Sequence, residues 1–296
     1  LCDRRQRQMC IRDRANADVN SIGASMPYVR YDSENASIGG GAILASSNDW
    51  SLTNIASQAS NQSYVSLPTN GSYAEWTTFS SGNGIVMRFT LPDSADGMGQ
   101  TGSLDVYVNG VKVKTVDLTS YYMWQYLNGG AGDTPGNGTA CFAFDEVHFR
   151  LEQSLQPGDK IRIQSTRANG LTYGVDFLEI EETGKPIGQP AGSYSVVEFG
   201  AVPDDGVDDY AAITACIAAA DAAGKDVYFP EGTYHINQIW RVSASNMMIT
   251  GAGMWFTNIQ FTNSGQQKGG ISGAGDGSTY NIEFCNMYIN SNLRSR

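Results

Sequence analysis

The sequence predicts an all-β protein in two parts, a jelly-roll-type β-sandwich followed by the first coils of a parallel β-helix behind one capping helix. Three observations carry this. Apolar residues alternate at period two through residues 27 to 182, and short apolar runs between Gly, Asn and Ser follow a single helical pattern. The composition agrees: 34 of 296 residues are Gly and only 17% are charged, as in a turn-rich chain with polar, uncharged surfaces. At 41% apolar and 10% aromatic residues, the chain has enough material for real cores.

Residues 1–26 are set apart as a non-native or disordered leader. Leu1 to Arg14 reads LCDRRQRQMCIRDR and holds five of the thirteen Arg. It has no apolar stretch of the kind a secretory signal needs, so it is read as a remnant unrelated to the fold rather than a targeting arm.

Residues 27–185 are assigned to the sandwich. Ile85, Met87, Phe89 and Leu91 share one parity, with Val86, Arg88 and Thr90 on the other. Leu104, Val106 and Val108 run into Asn109-Gly110, a two-residue hairpin signal, and then Val111 and Val113 are expected inward with Lys112 and Lys114 outward. Parity shifts to Val116 and Leu118, which predicts a bulge. Val147, Phe149 and Leu151 form another strand, and Gln156-Pro157-Gly158-Asp159 a turn before Ile161 and Ile163.

Residues 186–296, after the linker Gly184 to Gly192, are assigned to the β-helix. Ile213, Cys216, Ile217 and Ala220 recur at helical spacing, with Asp208 or Asp209 placed to cap the start and Gly224 the end. Val227 to Phe229, Met247 to Ile249, Ile259 to Phe261 and Ile282 to Phe284 are the short strands of successive coils. The roughly seventy residues after Val227 make about three coils, so the last coil is expected to present an uncovered end.

Charge and cysteine usage exclude several functions. A net charge of −11 opposes binding to nucleic acid or to an anionic membrane, and no apolar run is long enough to span a bilayer. Five Cys without a CxxC indicate neither zinc nor a disulfide framework. His148 and His235 sit in strand patterns and read as structural. The Asp204, Asp205, Asp208, Asp209 group reads as a turn and helix cap, and Asp145-Glu146 cannot form an acid/base couple because strand neighbours face opposite ways.

The candidate ligand surface is aromatic. Tyr122, Trp124 and Tyr126 lie in a loop-like segment before the Gly-rich stretch 128–138, and Trp50 and Trp76 are candidates to extend it. Such rings stack on sugar faces, while Asn, Gln and Asp hydrogen-bond to hydroxyls; the alternative is that they plug the ends of the sandwich.

The frames Tyr31-Asp32-Ser33-Glu34-Asn35-Ala36, Gly71 to Trp76, Gly158 to Ile161 and Val175 to Glu179 resemble galactose-binding-like carbohydrate-binding modules. The resemblance implies a structural calcium ion at Glu34 and Asp176, chemically sensible for a hard cation. Phe199-Gly200-Ala201, Asp204-Asp205-Gly206, Asp208-Asp209, Val227 to Glu231 and Gly232-Thr233-Tyr234 resemble the opening of the pectate-lyase-like right-handed β-helix superfamily. The two together resemble the mycodextranase and bacterial α-1,3-glucanase family. That likeness implies the N-terminal portion of a secreted, monomeric, inverting glycoside hydrolase acting on an α-glucan, α-1,3-glucan first. Its catalytic carboxylates would lie in later coils, no catalytic residue is assigned here, and no cofactor for catalysis is implied. The rival expectations are a non-catalytic adhesin or tailspike-like protein and a polysaccharide lyase.

Overall fold

A computed structural model describes residues 26–51, 53–127, 135, 136, 138–142, 144–262, 269–273 and 277–292. Most of the leader, the Gly-rich stretch 128–134 and the tail 293–296 lie outside the described residues. The chain divides into two compact units, Leu1–Glu182 and Thr183–Arg296.

The first unit is a β-sandwich. Its strands are β1 (Tyr28–Asp32), β2 (Ser37–Gly39), β3 (Ile43–Ser46), β4 (Ser63–Leu67), β5 (Tyr73–Thr77), β6 (Gly82–Thr90) and β7 (Thr101–Val108). They continue as β8 (Val111–Thr119), β9 (Trp124–Leu127), β10 (Thr139–Phe142), β11 (Asp145–Leu155), β12 (Lys160–Gln164) and β13 (Tyr173–Glu181). One antiparallel sheet runs β11-β6-β13-β4-β3 with β1 also on β13, and the other runs β2-β5-β12-β7-β8. The inward parity of each closes one core: Ile85, Met87, Phe89 and Leu91 from β6 and its exit meet Leu104, Val106, Ile161 and Ile163, all buried. Burying such a side chain contributes on the order of 1.5–3 kcal/mol, so alternation of this length fixes the register.

The hairpin at Asn109-Gly110 forms with both residues at positive φ, 51° and 81°, the geometry whose twist matches the flanking strands. The bulge is present too, where Val106 pairs with Lys114 and Tyr107 with Lys112, leaving Val113 as the extra residue. One expectation fails here. Val111 and Val113 are 66% and 48% exposed, not core, because β8 is an edge strand and the bulge twists its first residues off the packed face.

The second unit winds as a parallel β-helix. A short strand β14 (Tyr194–Ser195) and helix α1 (Tyr210–Ala223) precede β15 (Val227–Phe229), β16 (Gly232–Ile236), β17 (Trp240–Val242) and β18 (Ser245–Gly251). Then come β19 (Thr257–Phe261), β20 (Ile271–Gly273), β21 (Tyr280–Cys285) and β22 (Tyr288–Ser291). Three parallel sheets result, β14-β15-β18-β21, β16-β19-β22 and β17-β20, so each coil hydrogen-bonds the one before it. Like residues stack in register: Val227 on Ile249 on Phe284, and Tyr234 on Ile259 on Ile289. Phe229 lies edge-on to both Tyr234 and Trp240 inside the coil, 5.3 and 5.8 Å between ring centres.

Helix α1 buries Ile213, Cys216, Ile217 and Ala220, and Gly224 ends it in the left-handed conformation. Asp209 stands at the cap position but makes no capping bond. Its carboxylate instead accepts from the Val202 and His235 backbone N–H groups at 2.9 and 3.0 Å. Asp208 takes the Tyr210 N–H at 3.4 Å and the Asn237 N–H at 3.0 Å. The acidic loop is thus stitched to β16 and the helix start. In the last described coil Ile282 and Phe284 are only partly buried, and Tyr280 and Ile289 are exposed.

Candidate functional site

The aromatic segment resolves into two kinds of ring. Tyr121 and Met123 are buried and anchor it to the sandwich. Trp124 opens β9, which pairs with β10 in the order Trp124 to Phe142 and Tyr126 to Ala140. Its ring packs on the core and its Nε1–H donates to the Leu91 carbonyl at 3.0 Å. Together with Ile55, Tyr64, Leu91, Pro92, Thr172 and Tyr173 it lines an apolar cavity of about 160 Å³. Tyr126 donates its hydroxyl to Asp93 Oδ2 at 2.8 Å, while Asp93 Oδ1 accepts from the Ser94 and Gly99 N–H groups. Tyr122 is 52% exposed and meets Tyr121 edge-on at 4.7 Å. Trp50 is 70% exposed, on the loop that reaches the Trp124 cavity through Ile55. Trp50 and Tyr122 are therefore the exposed rings of the set, whereas Trp124 and Tyr126 are partly buried and held by hydrogen bonds.

Trp76 has to be removed from that surface. It is 3% exposed, sits opposite Ile161 in the β5–β12 register, and donates its Nε1–H to the Asp32 carbonyl at 2.9 Å. No sugar ring can reach it. The signal that could have found this is local, since Ala74 and Trp76 share the inward parity of β5 while Tyr73 and Glu75 take the other.

The two carboxylates proposed for calcium meet at one turn. Asn61 Nδ2 donates to Glu34 Oε1 at 2.6 Å, and the Ser60 N–H donates to both oxygens of Asp176 at 3.0 and 3.1 Å. Ser60 Oγ donates to Asp32 Oδ1 at 3.1 Å. Asp176 is wholly buried, and burial pushes its pKa up to about 6 against the pull of Ser60 and Arg88. Arg88 Nη1 lies 2.6 Å from its Oδ2 and already supplies the countercharge, a partner the sequence did not reveal. Glu34 Oε2, by contrast, is buried with no hydrogen-bond partner, the state of an oxygen that suits a hard cation. Among the described residues no three His, Cys, Asp or Glu side chains are grouped to hold a metal ion. Of the two carboxylates expected to hold calcium, Glu34 thus keeps one oxygen without a partner, whereas Asp176 is engaged by Arg88 and Ser60.

His148 lies half-buried on β11, where burial lowers its pKa. His235 is fixed through its backbone to Asp209. Asp145, at the start of β11, is raised by burial, and its neighbour Glu146 takes the other parity of the strand. No described helix is long and apolar enough to cross a membrane.

An antiparallel sandwich in one chain with the opening coils of a parallel β-helix places the second unit in the pectate-lyase-like class of folds. A profile described as rhamnogalacturonase A/epimerase, pectate lyase-like, matches residues 193–293. The profile of the alpha-1,3-glucanase catalytic domain D1 matches residues 25–183, and the chain belongs to that family.

Among solved structures, the Agl-KA catalytic domain is 52% identical, with 94% of this chain and 50% of that chain covered and a TM-score of 0.86. The catalytic unit of a thermostable GH87 alpha-1,3-glucanase from Streptomyces thermodiastaticus strain HF3-3 is 28% identical over 93% of this chain and 46% of its own, with a TM-score of 0.74. The chain thus spans about half the length of the solved structures it matches. Mannuronan C5-epimerase AlgE6 of Azotobacter vinelandii is 39% identical over 82 residues, 25% of this chain and 9% of that protein.

Proposed function

We propose that this chain supplies polysaccharide binding and the first coils of the catalytic β-helix to a secreted glycoside hydrolase acting on α-1,3-glucan. The observation that carries this reading is the 52% identity to the Agl-KA catalytic domain over 94% of the chain. Membership of the alpha-1,3-glucanase catalytic domain D1 family supports it. The surface supports it as well: Trp50 and Tyr122 offer faces to sugar rings, and a net charge of −11 suits a neutral polymer better than an anionic one. Hydrolysis with inversion needs an acid and a base carboxylate some 6.5–9.5 Å apart. We assign that pair to other coils of the β-helix, and the part proposed for the described residues is binding. Calcium, in the same reading, is held at Glu34 and Asp176, whose carboxylates meet at Ser60 and Asn61.

The test is a pull-down of the chain on insoluble α-1,3-glucan, cellulose and pectin, with reducing sugar measured in the supernatant. Retention on α-1,3-glucan without sugar release is expected. Equal indifference to all three polymers overturns the binding role, and release of reducing sugar overturns the assignment of catalysis to other coils.

A further inference from the structure

The sheet β2-β5-β12-β7-β8 carries a groove of about 640 Å³ that shares no lining residue with the site around Trp124. That volume is within the roughly 300–1,000 Å³ of small-ligand sites. Its polar lining is Thr101, Ser103, Asp117, Thr119, Arg167 and Asn169. Thr101 stands opposite Thr119 and Ser103 opposite Asp117 in the β7–β8 register, so four of the six line up on one face of a strand pair.

The groove is braced from below. Tyr173 is buried, and its hydroxyl accepts from the Ser103 N–H at 3.3 Å and from Asn169 Nδ2 at 2.7 Å. It reaches that position only because residue 102 is Gly, where a Cβ would meet the Tyr173 hydroxyl at 2.5 Å. Asn169 Oδ1 in turn accepts from the Leu171 N–H at 3.1 Å, which fixes the amide. Arg167 donates Nε–H to Ser103 Oγ at 3.2 Å, holding its plane while keeping two terminal amino groups for a ligand. Asp117 is exposed across the strand pair as an acceptor. The neighbouring Asp105 is taken up by Lys112, so the groove contributes one positive and one negative charge.

We propose that this groove is a second saccharide-binding site, for a neutral glucan chain held by hydrogen bonds rather than by ring stacking. The chemistry selects the ligand class. A guanidinium donor and a carboxylate acceptor in one groove, together with hydroxyls and an amide, match adjacent sugar hydroxyls. With no aromatic ring in the lining, a nucleobase finds no stacking partner, and with charges that cancel, a polyanion finds no net attraction. The identification of the glucan as α-1,3-linked rests on the function proposed above; the groove itself does not.

Calorimetric titration of the full chain with α-1,3-linked, α-1,6-linked and β-1,3-linked glucotetraose, and with tetragalacturonate, tests this. Wild-type protein is expected to bind a neutral tetraose and not the tetragalacturonate. Asp117→Ala and Arg167→Ala are each expected to weaken that binding about tenfold or more, with an unchanged thermal midpoint, and Arg167→Lys to recover only part of it. Equal affinity of both variants overturns the groove and leaves the α-1,3-glucan reading standing. Loss in both variants with only the α-1,6 or β-1,3 tetraose bound supports the groove and overturns that reading. Binding of no tetraose, or of tetragalacturonate above the others, overturns the groove.

Discussion

The rings of this sandwich are sorted by what lies behind them. Trp124 and Trp76 both donate an indole N–H to a backbone carbonyl and both pack on the core, whereas Trp50 and Tyr122 are mostly exposed. Trp50→Ala and Tyr122→Ala are therefore expected to reduce retention on α-1,3-glucan with no change in thermal midpoint. Trp124→Ala is expected to cost roughly 2–3 kcal/mol, below the 3–5 kcal/mol of a fully buried ring. Thermal melts run beside the pull-down separate these effects, and a Trp124→Ala variant that melts like wild type would contradict the packing.

A second prediction at this scale concerns pH. Burial alone would raise the pKa of Asp105, but hydrogen bonds from Lys112, Thr115 and Thr166 outweigh it and hold the carboxyl below its ordinary value. A folded pKa below the unfolded one means stability fully present above the unfolded pKa and lost as pH falls through the folded one. Asp105→Asn is expected to cost roughly 1–3 kcal/mol at neutral pH. That difference from wild type should vanish in acid, as read from denaturant midpoints along a pH series.

At the scale of elements, packing overrules alternation at the edges of a sheet. Val111 and Val113 carry a core-like pattern, yet Val113 is the bulged residue and Val111 lies at the start of an edge strand, and both stay exposed. Val111→Thr is expected to change stability by less than about 0.5 kcal/mol, while Val106→Thr, buried opposite Ile163, costs several times as much. Urea midpoints for the two variants decide this. The corner at Ser60 and Asn61 makes the other prediction of this scale. With calcium bound through Glu34, chelation with EDTA lowers the thermal midpoint by several degrees and Glu34→Gln removes that sensitivity. A midpoint indifferent to EDTA ends the calcium assignment.

At the scale of the whole molecule, charge sets the kind of ligand. A chain of net charge −11 holding a neutral polymer gains no counterion release on binding. Retention on α-1,3-glucan is therefore expected to hold from about 0.05 to 0.5 M salt, a range that shortens the Debye length from roughly 14 to 4 Å. A steep loss with salt, measured by the same pull-down, would point to an ionic ligand.

Much of this architecture is legible in the residues themselves. Period-two alternation from Ile85 to Leu91, the Asn109-Gly110 turn and the helical spacing of Ile213 to Ala220 are local codes, because burying one face of a strand or one stripe of a helix requires them. The order of motifs across both units made the family visible as well. The burial of Trp76 was readable in the parity of β5, but the tertiary structure alone decided that Trp50 and Tyr122 are exposed while Trp124 packs on the core, which carboxylate already has a cation in Arg88, and that Thr101, Asp117 and Arg167 line one groove. These depend on partners between 16 and 88 residues apart, and a sequence pattern records the periodicity of an element but not which neighbour covers it.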